Sequence, residues 1–310
     1  MGFLAVDIGA TNVRVASGDR SGLWSRLSET TDRDNGPLGI SAQIVRMAHE
    51  LGMDSVESVG VGSIGPIDIA SGSIVDTPNL PFKEIPVTEP LREAFGVPVS
   101  LLNDCTAAVL GEKSFGAGKE IDNLTYVTLS TGLGGGAIVD GHLLIGKDGN
   151  AVEVGHITID PRSPLTCGCG SPGHWEAHSS GSNIPNFVRH SIGDGDGGSL
   201  LYELAGGDLE ALNAEILFSA AEAGDATALR VVDELGKVNA VGFANVVNAY
   251  DPELVTIGGS IALNNPELIL KPILENIGRH LLNRMPRIMI TPLGEDVVLY
   301  SALSRAISLI

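Results

Sequence analysis

Apolar residues along this chain fall into two patterns, short continuous runs and longer stretches with helical spacing. The continuous runs predict buried strands at 3–6, 13–16, 56–63, 99–102, 124–130, 137–139 and 254–257. The helical spacing predicts helices at 38–51, 106–113, 183–191, 209–223, 226–249, 265–284 and 297–309. Strands that alternate with helices are typical of an α/β fold with a parallel or mixed sheet.

A strand, a turn rich in Gly and Thr, and a returning strand occur together twice. The first turn covers residues 7–12 (DIGATN) and the second covers 130–134 (STGLG). Two similar turns, one opening each half, indicate two related domains that face each other across a cleft. The expected parts are a small domain at 1–105, a hinge at 104–116, a large domain at 106–296, and a final helix at 297–310 that packs back on the small domain.

The composition argues against several classes of protein. Hydrophobic residues make up 43% of the 310 residues and charged residues 18%, as in globular proteins. The formal net charge of −19 disfavours a nucleic-acid partner, because binding to phosphate requires clusters of basic residues. The first strand begins at residue 3, no apolar run approaches the ~18 residues of a membrane span, and the three cysteines fit a reducing compartment. We therefore expect a cytoplasmic protein without a leader.

Two familiar nucleotide-binding patterns occur in this chain by accident. Gly132-x-Gly134-x-x-Ala137 fits the dinucleotide fingerprint, but that fingerprint must open a helix, and the chain continues here as a strand. The stretch from Gly141 to Lys147 resembles a Walker loop. The residue that follows it is an aspartate, which has no hydroxyl for magnesium, and no long helix comes after it. We reject both interpretations.

The paired Gly-Thr turns predict a nucleotide site. Such turns expose backbone N–H groups in a row, and these groups bind phosphate oxygens without charged side chains. Asp7, at the mouth of the first turn, can hold magnesium or its waters. A later strand ends in paired glycines, which allow an adenine ring to lie against the backbone. The candidate nucleotide-binding residues are Asp7, Gly9, Thr11, Asn12, Thr131, Gly132, Gly134, Gly258 and Gly259.

These nucleotide segments resemble the two phosphate motifs and the adenosine motif of the actin-like ATPases. Three further segments resemble the ROK family in particular: 103–108 (NDCTAA), 153–156 (EVGH) and 167–176 (CGCGSPGHWE). The resemblance runs from residue 3 to the C-terminus with the motifs in family order. It implies a two-domain α/β actin-like ATPase fold, ribonuclease H-like, with a nucleotide and sugar cleft between the domains. It also implies ATP, Mg²⁺ and a homodimer.

Asp104 is the candidate catalytic residue. An aspartate at the carboxyl end of a strand fits a general base, but it equally fits the N-cap of the following helix. The ROK resemblance implies the base. It also implies a set of sugar-binding residues, which are Gly65, Asn79, Asn103, Asp104, Glu153, His156 and Glu176. The loop at 62–68 departs slightly from the family, which often has proline where this chain has Ile64.

Four residues in the irregular stretch at 150–182 predict a structural zinc site. Thiolates and imidazoles in sets of four are typical of zinc, and here the set is His156, Cys167, Cys169 and His174. The family usually has a third cysteine where this chain has His174. His178 is the rival ligand, because it lies one helical turn beyond His174 on the same face.

The function that we predict is ATP-dependent phosphorylation of a hexose or N-acylhexosamine, at the 6-hydroxyl. The departure at His174 favours N-acetylmannosamine, with glucose close behind. Two alternatives come from other classes. One is a sugar-responsive ROK regulator, although the first strand leaves no room for a preceding DNA-binding segment. The other is an actin-like filament or chaperone ATPase, which has no reason to carry the Glu153-x-x-His156 segment or the metal cluster.

Overall fold

The computed structural model describes residues 2–77, 79–192 and 198–310. The elements up to residue 114 are β1 (Gly2–Ile8), β2 (Asn12–Asp19), β3 (Gly22–Thr30), α1 (Gly39–Glu50), β4 (Val56–Ser63), β5 (Ile67–Asp68), β6 (Ser73–Val75), β7 (Glu84–Pro86), α2 (Thr88–Phe95), β8 (Val99–Asn103) and α3 (Asp104–Ser114). The elements after it are β9 (Leu124–Leu129), β10 (Leu133–Val139), β11 (His142–Leu143), α4 (Glu176–Ser179), α5 (Ile184–Ile192), α6 (Leu200–Leu204), α7 (Ala214–Glu222), α8 (Ala226–Tyr250), β12 (Leu254–Gly258), α9 (Ser260–Asn264), α10 (Pro266–Ile277), β13 (Arg287–Ile290) and α11 (Val297–Ile307).

By contacts, the chain divides into two compact units. Unit 1 comprises Met1–Tyr126, Gly136–Val152 and Thr291–Ile310, and unit 2 comprises Val127–Gly135 and Glu153–Ile290. The sequence placed the boundary at residues 105 and 106, with α3 in the large domain. The structure puts α3 in unit 1 instead, because this helix packs against α11 and β4.

The first sheet has the strand order β3-β2-β1-β4-β8. β1 pairs antiparallel with β2 and parallel with β4, and β4 pairs parallel with β8. In this register Ile8 lies beside Ser63, and Ser63 lies beside Asn103. The three parallel strands therefore end level with one another at one edge of the sheet.

Alternate residues of β1 point to opposite faces of this sheet, as the two-residue period of a strand requires. Leu4 and Val6 share a core with Ile44 of α1, whereas Phe3 shares a second core with Leu303 of α11. The sheet is thus covered on both faces, which explains why β1 is a continuous apolar run without polar alternation.

The C-terminal helix α11 packs closely on β4 and α3 at positions where the chain has glycine. A Cβ atom on Gly60 would lie 1.9 Å from Ala302 O, and one on Gly111 would lie 2.7 Å from Val297 O. Backbone atoms cannot move aside as a flexible side chain can, so these glycines permit the approach. Helix α11 belongs to unit 1, the part of the chain on which the sequence analysis expected the final helix to pack.

The second five-stranded sheet has the order β11-β10-β9-β12-β13, and β12 pairs parallel with β13. Within unit 2, the long helix α8 packs against α7 and α10. Among the described helices, none combines the length and apolarity that crossing a bilayer requires.

Several elements differ from the sequence predictions. The exposed strand β3, the small sheet of β5, β6 and β7, the helix α2 and the strand β13 were not predicted. The predicted helix at 265–284 ends at Ile277, where glycine follows. The predicted helix at 209–223 begins only at Ala214, because the side chain of Asn213 caps it by accepting a hydrogen bond from Ile216 N.

Candidate functional site

In unit 1 the first phosphate turn follows β1 at the sheet edge where the parallel strands end. Gly9 N donates to Asn12 O at 2.9 Å, and a Cβ atom on Gly9 would lie 2.9 Å from the same oxygen. Thr31 braces the turn from outside, because its hydroxyl donates to Gly9 O at 2.7 Å and its amide donates to Thr11 O at 2.9 Å. The turn is therefore held in one shape, which an array of phosphate-binding amides requires.

Asp7 precedes this turn and is buried, with 7% of its surface exposed. Its Oδ2 accepts a hydrogen bond from Arg14 Nε at 2.8 Å, and Arg14 in turn donates to Glu295 O at 2.8 Å. Burial raises the pKa of Asp7, and the Arg14 guanidinium opposes that shift. The predicted magnesium residue is thus paired with a fixed cation, a partner that the sequence analysis did not identify.

Asp104 lies at the same sheet edge, as the first residue of α3. The N-cap of this helix is Asn103, whose Oδ1 accepts hydrogen bonds from Cys105 N at 3.0 Å and Thr106 N at 3.3 Å. Asp104 Oδ1 accepts from Cys105 N at 2.8 Å, and its side chain is partly exposed. Because a helix N-terminus favours negative charge, this position stabilises an ionised carboxylate.

The loop after β4 completes this edge. Gly65 lies so close to Asn103 that an added Cβ atom would be 3.0 Å from Asn103 Nδ2. Asn150 holds the next part of the loop, since its side chain accepts from Ile67 N at 3.2 Å and donates to Ile67 O at 3.1 Å. Asn79, a predicted sugar-binding residue, is exposed, and its amide donates to Thr77 Oγ1 at 3.4 Å.

In unit 2 the second phosphate turn lies beside the predicted adenosine segment. Ser130 Oγ is 3.2 Å from Ser260 Oγ, and Gly181 N donates to Ser130 O at 2.7 Å. Gly259 has a φ of +86°, and a Cβ atom there would lie 2.4 Å from Leu129 O. Both features require glycine, because other residues rarely adopt this φ and their Cβ would collide with backbone.

Glu176 connects the second phosphate turn with the cysteine segment. Its Oε2 accepts a hydrogen bond from Leu133 N at 3.0 Å, and its Oε1 accepts one from Cys167 Sγ at 3.1 Å. Thr131 and Gly132 precede Leu133 directly, so the carboxylate of Glu176 lies against the turn that the sequence assigned to phosphate. The sequence analysis assigned Glu176 only to sugar binding.

The four predicted metal ligands come together in unit 2. One ligand atom from each of His156, Cys167, Cys169 and His174 lies within 4.8 Å of all the others. Cys167 Sγ is 3.5 Å from His156 Nδ1, and Cys169 Sγ is 3.4 Å from His174 Nδ1. With Zn–N bonds of about 2.0–2.1 Å and Zn–S bonds of about 2.3 Å, ligand atoms in a tetrahedral site are roughly 3.3–3.8 Å apart. The donor set and these two distances therefore fit zinc.

The two thiols of this cluster differ in their surroundings. Burial raises the pKa of Cys167 to about 12, whereas hydrogen bonding from the backbone of Ser171 lowers the pKa of the exposed Cys169. His156 turns Nδ1 toward the cysteines, and its Nε2 is 3.9 Å from Glu153 Oε2. The Glu153 carboxylate therefore faces the ring nitrogen that points away from the cysteines, at a distance too long for a hydrogen bond.

His178, the rival ligand in the sequence analysis, lies outside the cluster. Its Nδ1 is 2.8 Å from His174 O and its Nε2 is 2.9 Å from Ser163 Oγ. The ring is buried, with 4% of the residue exposed. Both ring nitrogens are used in internal hydrogen bonds, so His178 holds the loop rather than facing the cysteines.

Trp175 anchors the segment between His174 and Glu176. Its ring is fully buried, Nε1 donates to Asn239 Oδ1 at 2.8 Å, and the ring meets Phe243 edge-on at 5.0 Å. A Cβ atom on Gly242 of α8 would lie 2.2 Å from the Trp175 ring. The glycine at position 242 therefore leaves room for the ring of Trp175 against α8. This packing fixes the chain between His174, a candidate metal ligand, and Glu176, a candidate substrate-binding residue.

The sequence model of the ROK family matches residues 3–297. The chain belongs to the ROK family. A glucokinase of Pyrobaculum calidifontis is 40% identical over 305 residues, covering 98% of this chain and 94% of that protein. A glucokinase of Thermotoga maritima is 34% identical, covering 97% of this chain and 96% of that protein.

Solved structures of ROK proteins share the fold. A ROK family glucokinase from Streptomyces griseus, in complex with glucose and AMPPNP, aligns with a TM-score of 0.82 and 30% identity over 99% of both chains. The predicted two-domain actin-like ATPase fold is confirmed by this likeness.

Sequence reasoning missed three residues that shape the sites. Arg14 left a signal, because it is a lone basic residue in an apolar strand that pairs with the strand of Asp7. Trp175 lay inside a recognised motif but received no role. Asn150 left no signal, because its partner Ile67 is 83 residues away in the chain.

Proposed function

We propose that this protein transfers the γ-phosphoryl group of ATP to the 6-hydroxyl of glucose, with Asp104 as general base. The observation that carries the proposal is the register of the first sheet. Ile8, Ser63 and Asn103 lie side by side across three parallel strands, so the first phosphate turn and Asp104 follow strands roughly 10 Å apart. In open α/β sheets, ligands bind at this edge.

The assignment of this chain to the sugar kinases rests on its similarity to known proteins. The chain is a ROK family protein with full-length likeness to glucokinases, and it is an ATP-dependent sugar kinase. Glucose is favoured over N-acetylmannosamine because both relatives named above are glucokinases and the solved relative binds glucose with AMPPNP.

Three groups of residues would have separate roles: proton transfer, sugar binding and phosphate binding. Asp104 accepts the proton of the attacking hydroxyl, and its place at the start of α3 holds it at the sheet edge where β8 ends. Asn103, Gly65, Glu153, His156 and Glu176 would bind the other sugar hydroxyls, as the family pattern implies. The amides of the two Gly-Thr turns would bind the phosphates, because phosphoryl transfer needs positioning and charge stabilisation more than covalent catalysis.

Magnesium and zinc have separate roles in this proposal. Mg²⁺ bound with ATP would neutralise phosphate charge, and Asp7 is the residue that would hold it or its waters. Zinc would be structural, held by His156, Cys167, Cys169 and His174 with no open position for water. The homodimer and the cytoplasmic location stay predictions.

An assay of ADP release across a sugar panel tests the proposed function. We expect kcat/KM to be highest for glucose, above mannose, fructose, N-acetylglucosamine and N-acetylmannosamine. Detection of glucose 6-phosphate with its dehydrogenase would identify the acceptor hydroxyl, and 6-deoxyglucose is the control, which should bind without turnover. A higher kcat/KM for N-acetylmannosamine would contradict the choice of glucose, and turnover of 6-deoxyglucose would contradict the 6-hydroxyl.

Asp7→Ala is expected to lower kcat at least tenfold, about 1.4 kcal/mol of transition-state stabilisation, and to raise the magnesium concentration needed for half activity. Sugar binding without nucleotide should persist, since Arg14 keeps its contact with Glu295 O. Magnesium titration of initial rates and calorimetry with glucose are the measurements. Loss of glucose binding would mean that Asp7 acts structurally.

A further inference from the structure

Glu112, in the last turns of α3, is a fully buried carboxyl group with no part in the proposed chemistry. Its relative exposure is 0%. Ala117 N donates to its Oε2 at 3.0 Å, and the Thr291 hydroxyl is hydrogen bonded to its Oε1. Buried carboxylates are normally paired with cations, whereas both of these partners are uncharged.

The chain around Glu112 is built to admit this side chain. A Cβ atom on Gly116 would lie 2.2 Å from Glu112 Oε2, and one on Gly118 would lie 3.2 Å from Glu112 O. Gly118 N also donates to Glu112 O at 3.0 Å. The two glycines therefore allow the segment after α3 to wrap around the buried carboxyl group.

One partner of Glu112 lies in the segment that follows α3, and the other lies where the chain finally re-enters unit 1. The segment at 115–118 leads into β9, along which the chain leaves unit 1 after Tyr126, and Thr291 is the first residue after its final return. Gly136, the first residue after another return, also abuts α3, since a Cβ atom there would lie 2.3 Å from Cys105 O. Helix α3 thus contacts two segments with which the chain re-enters unit 1, and Glu112 bonds the second of them as well as the segment that follows the helix.

We propose that Glu112 is a positioning residue, the joint that fixes α3 and its catalytic Asp104 to the segment that follows this helix and to the segment with which the chain finally re-enters unit 1. The link to turnover rests on the proposed role of Asp104, which begins the same helix. Thr291 also accepts from Leu293 N at 3.1 Å, so the joint extends toward α11.

Glu112 acts in this joint as an uncharged acid. An ionised carboxylate with only neutral partners would carry a large desolvation cost. The structure has the Thr291 hydroxyl as donor to Oε1. A protonated carboxyl group would reverse this bond, because the hydroxyl can rotate to accept from it, while the other carboxyl oxygen still accepts from Ala117 N. Glutamine has the same shape and the same pair of donor and acceptor atoms, so it should replace Glu112 without loss.

The direction of the pKa shift agrees with this state. Burial raises the pKa of Glu112, and the hydrogen bonds from Thr291 and Ala117 lower it by less. Charged side chains on the neighbouring elements have other partners: Lys113 contacts Asp122, and Arg305 donates to Ser100 Oγ. The folded state therefore keeps a proton that the unfolded chain releases, and stability from this group falls as pH rises above the ordinary glutamate range.

The first test compares unfolding of wild type, Glu112→Gln and Glu112→Ala in urea from pH 5 to pH 9, without substrate. As pH rises, the urea concentration at which half of the wild type is unfolded should fall relative to that of Glu112→Gln. Near neutral pH, Glu112→Ala should unfold at the lowest urea concentration of the three proteins. Glu120→Gln, which changes an exposed glutamate nearby, is the control and should track the wild type. A constant difference between wild type and Glu112→Gln across the range would overturn the uncharged state.

The second test measures kcat and KM in the same variants. We expect Glu112→Ala to lower kcat roughly 10- to 100-fold, as expected for a misplaced catalytic group, with small changes in KM, and Glu112→Gln to restore kcat. Thr291→Val keeps the shape but removes the hydroxyl that bonds both Glu112 and Leu293 N. It should give a smaller loss of kcat, and it covers the case in which Glu112→Ala does not fold. Equal damage from Gln and Ala, or unchanged kcat in both folded Glu112→Ala and Thr291→Val, would overturn the proposal. Wild-type inactivity on every sugar would instead refute the proposed function, and the unfolding test would still stand.

Discussion

Replacing Asp104 with asparagine is expected to lower kcat by roughly 10²–10⁴, which is the usual contribution of general base catalysis and corresponds to about 2.7–5.5 kcal/mol. Folding should survive the change, because the cap of α3 is Asn103 and not Asp104. The amide oxygen of asparagine can still accept the hydrogen bond that Cys105 N gives to Asp104 Oδ1. The measurement is steady-state kinetics with ATP and glucose, together with a thermal unfolding curve.

Asp225→Asn is the matched control for this variant. Asp225 caps α8, accepting from Ala228 N at 2.8 Å, and asparagine is an equally good cap. Asp225 Oδ2 also accepts from Leu200 N at 2.8 Å, a bond that the amide nitrogen cannot replace. This control should therefore lose some stability but keep kcat. Near wild-type turnover in Asp104→Asn would remove Asp104 from the mechanism, whereas a collapse of its unfolding temperature would show that the residue is mainly structural.

His174→Ala is expected to abolish tight zinc binding, leaving much less than one zinc per chain after purification without chelator. The reason is that Cys167, Cys169 and His156 alone leave a tetrahedral site with an open position. Loss of the metal should also lower the unfolding temperature, because this loop has little core of its own and metal binding stabilises the folded state. Elemental analysis and calorimetric unfolding of wild type and variant provide the test.

His178→Ala is the matched control, since it removes a neighbouring histidine whose two nitrogens are bonded to His174 O and Ser163 Oγ. It should lose stability but keep its zinc. Full zinc in His174→Ala together with loss of zinc in His178→Ala would reverse the ligand assignment. A wild type that holds no metal would mean that the cluster does not serve as a zinc site.

Removal of zinc should weaken the binding of the nucleotide as well as the binding of the sugar. The segment that carries Cys167 also positions Glu176, and Glu176 accepts a hydrogen bond from Leu133 N in the second phosphate turn. From the sequence, Glu176 was predicted only to bind the sugar. The contact with the phosphate turn predicts that nucleotide affinity also falls when the loop loosens.

Much of the candidate site was readable from the sequence because its parts are local. A Gly-Thr turn between two strands needs only a few consecutive residues, and so does the C-x-C segment at 167–169. The buried strands β1, β4 and β8 were predicted near their observed bounds, because strands covered on both faces are continuous apolar runs. The exposed edge strand β3 lacks that signal, as most of its residues face solvent.

By itself the sequence predicted the order of the buried strands and long helices, the two Gly-Thr turns, the resemblance to the ROK family and the four candidate metal ligands, because each of these is encoded by residues close together in the chain. The tertiary structure decided what depends on distant partners. Packing on α11 assigned α3 to unit 1, and Ser163 engaged His178 away from the cysteines. Thr291, 179 residues from Glu112 in the chain, gave that buried acid its partner. Such contacts form only when the core closes, and no local pattern of polar and apolar residues encodes them.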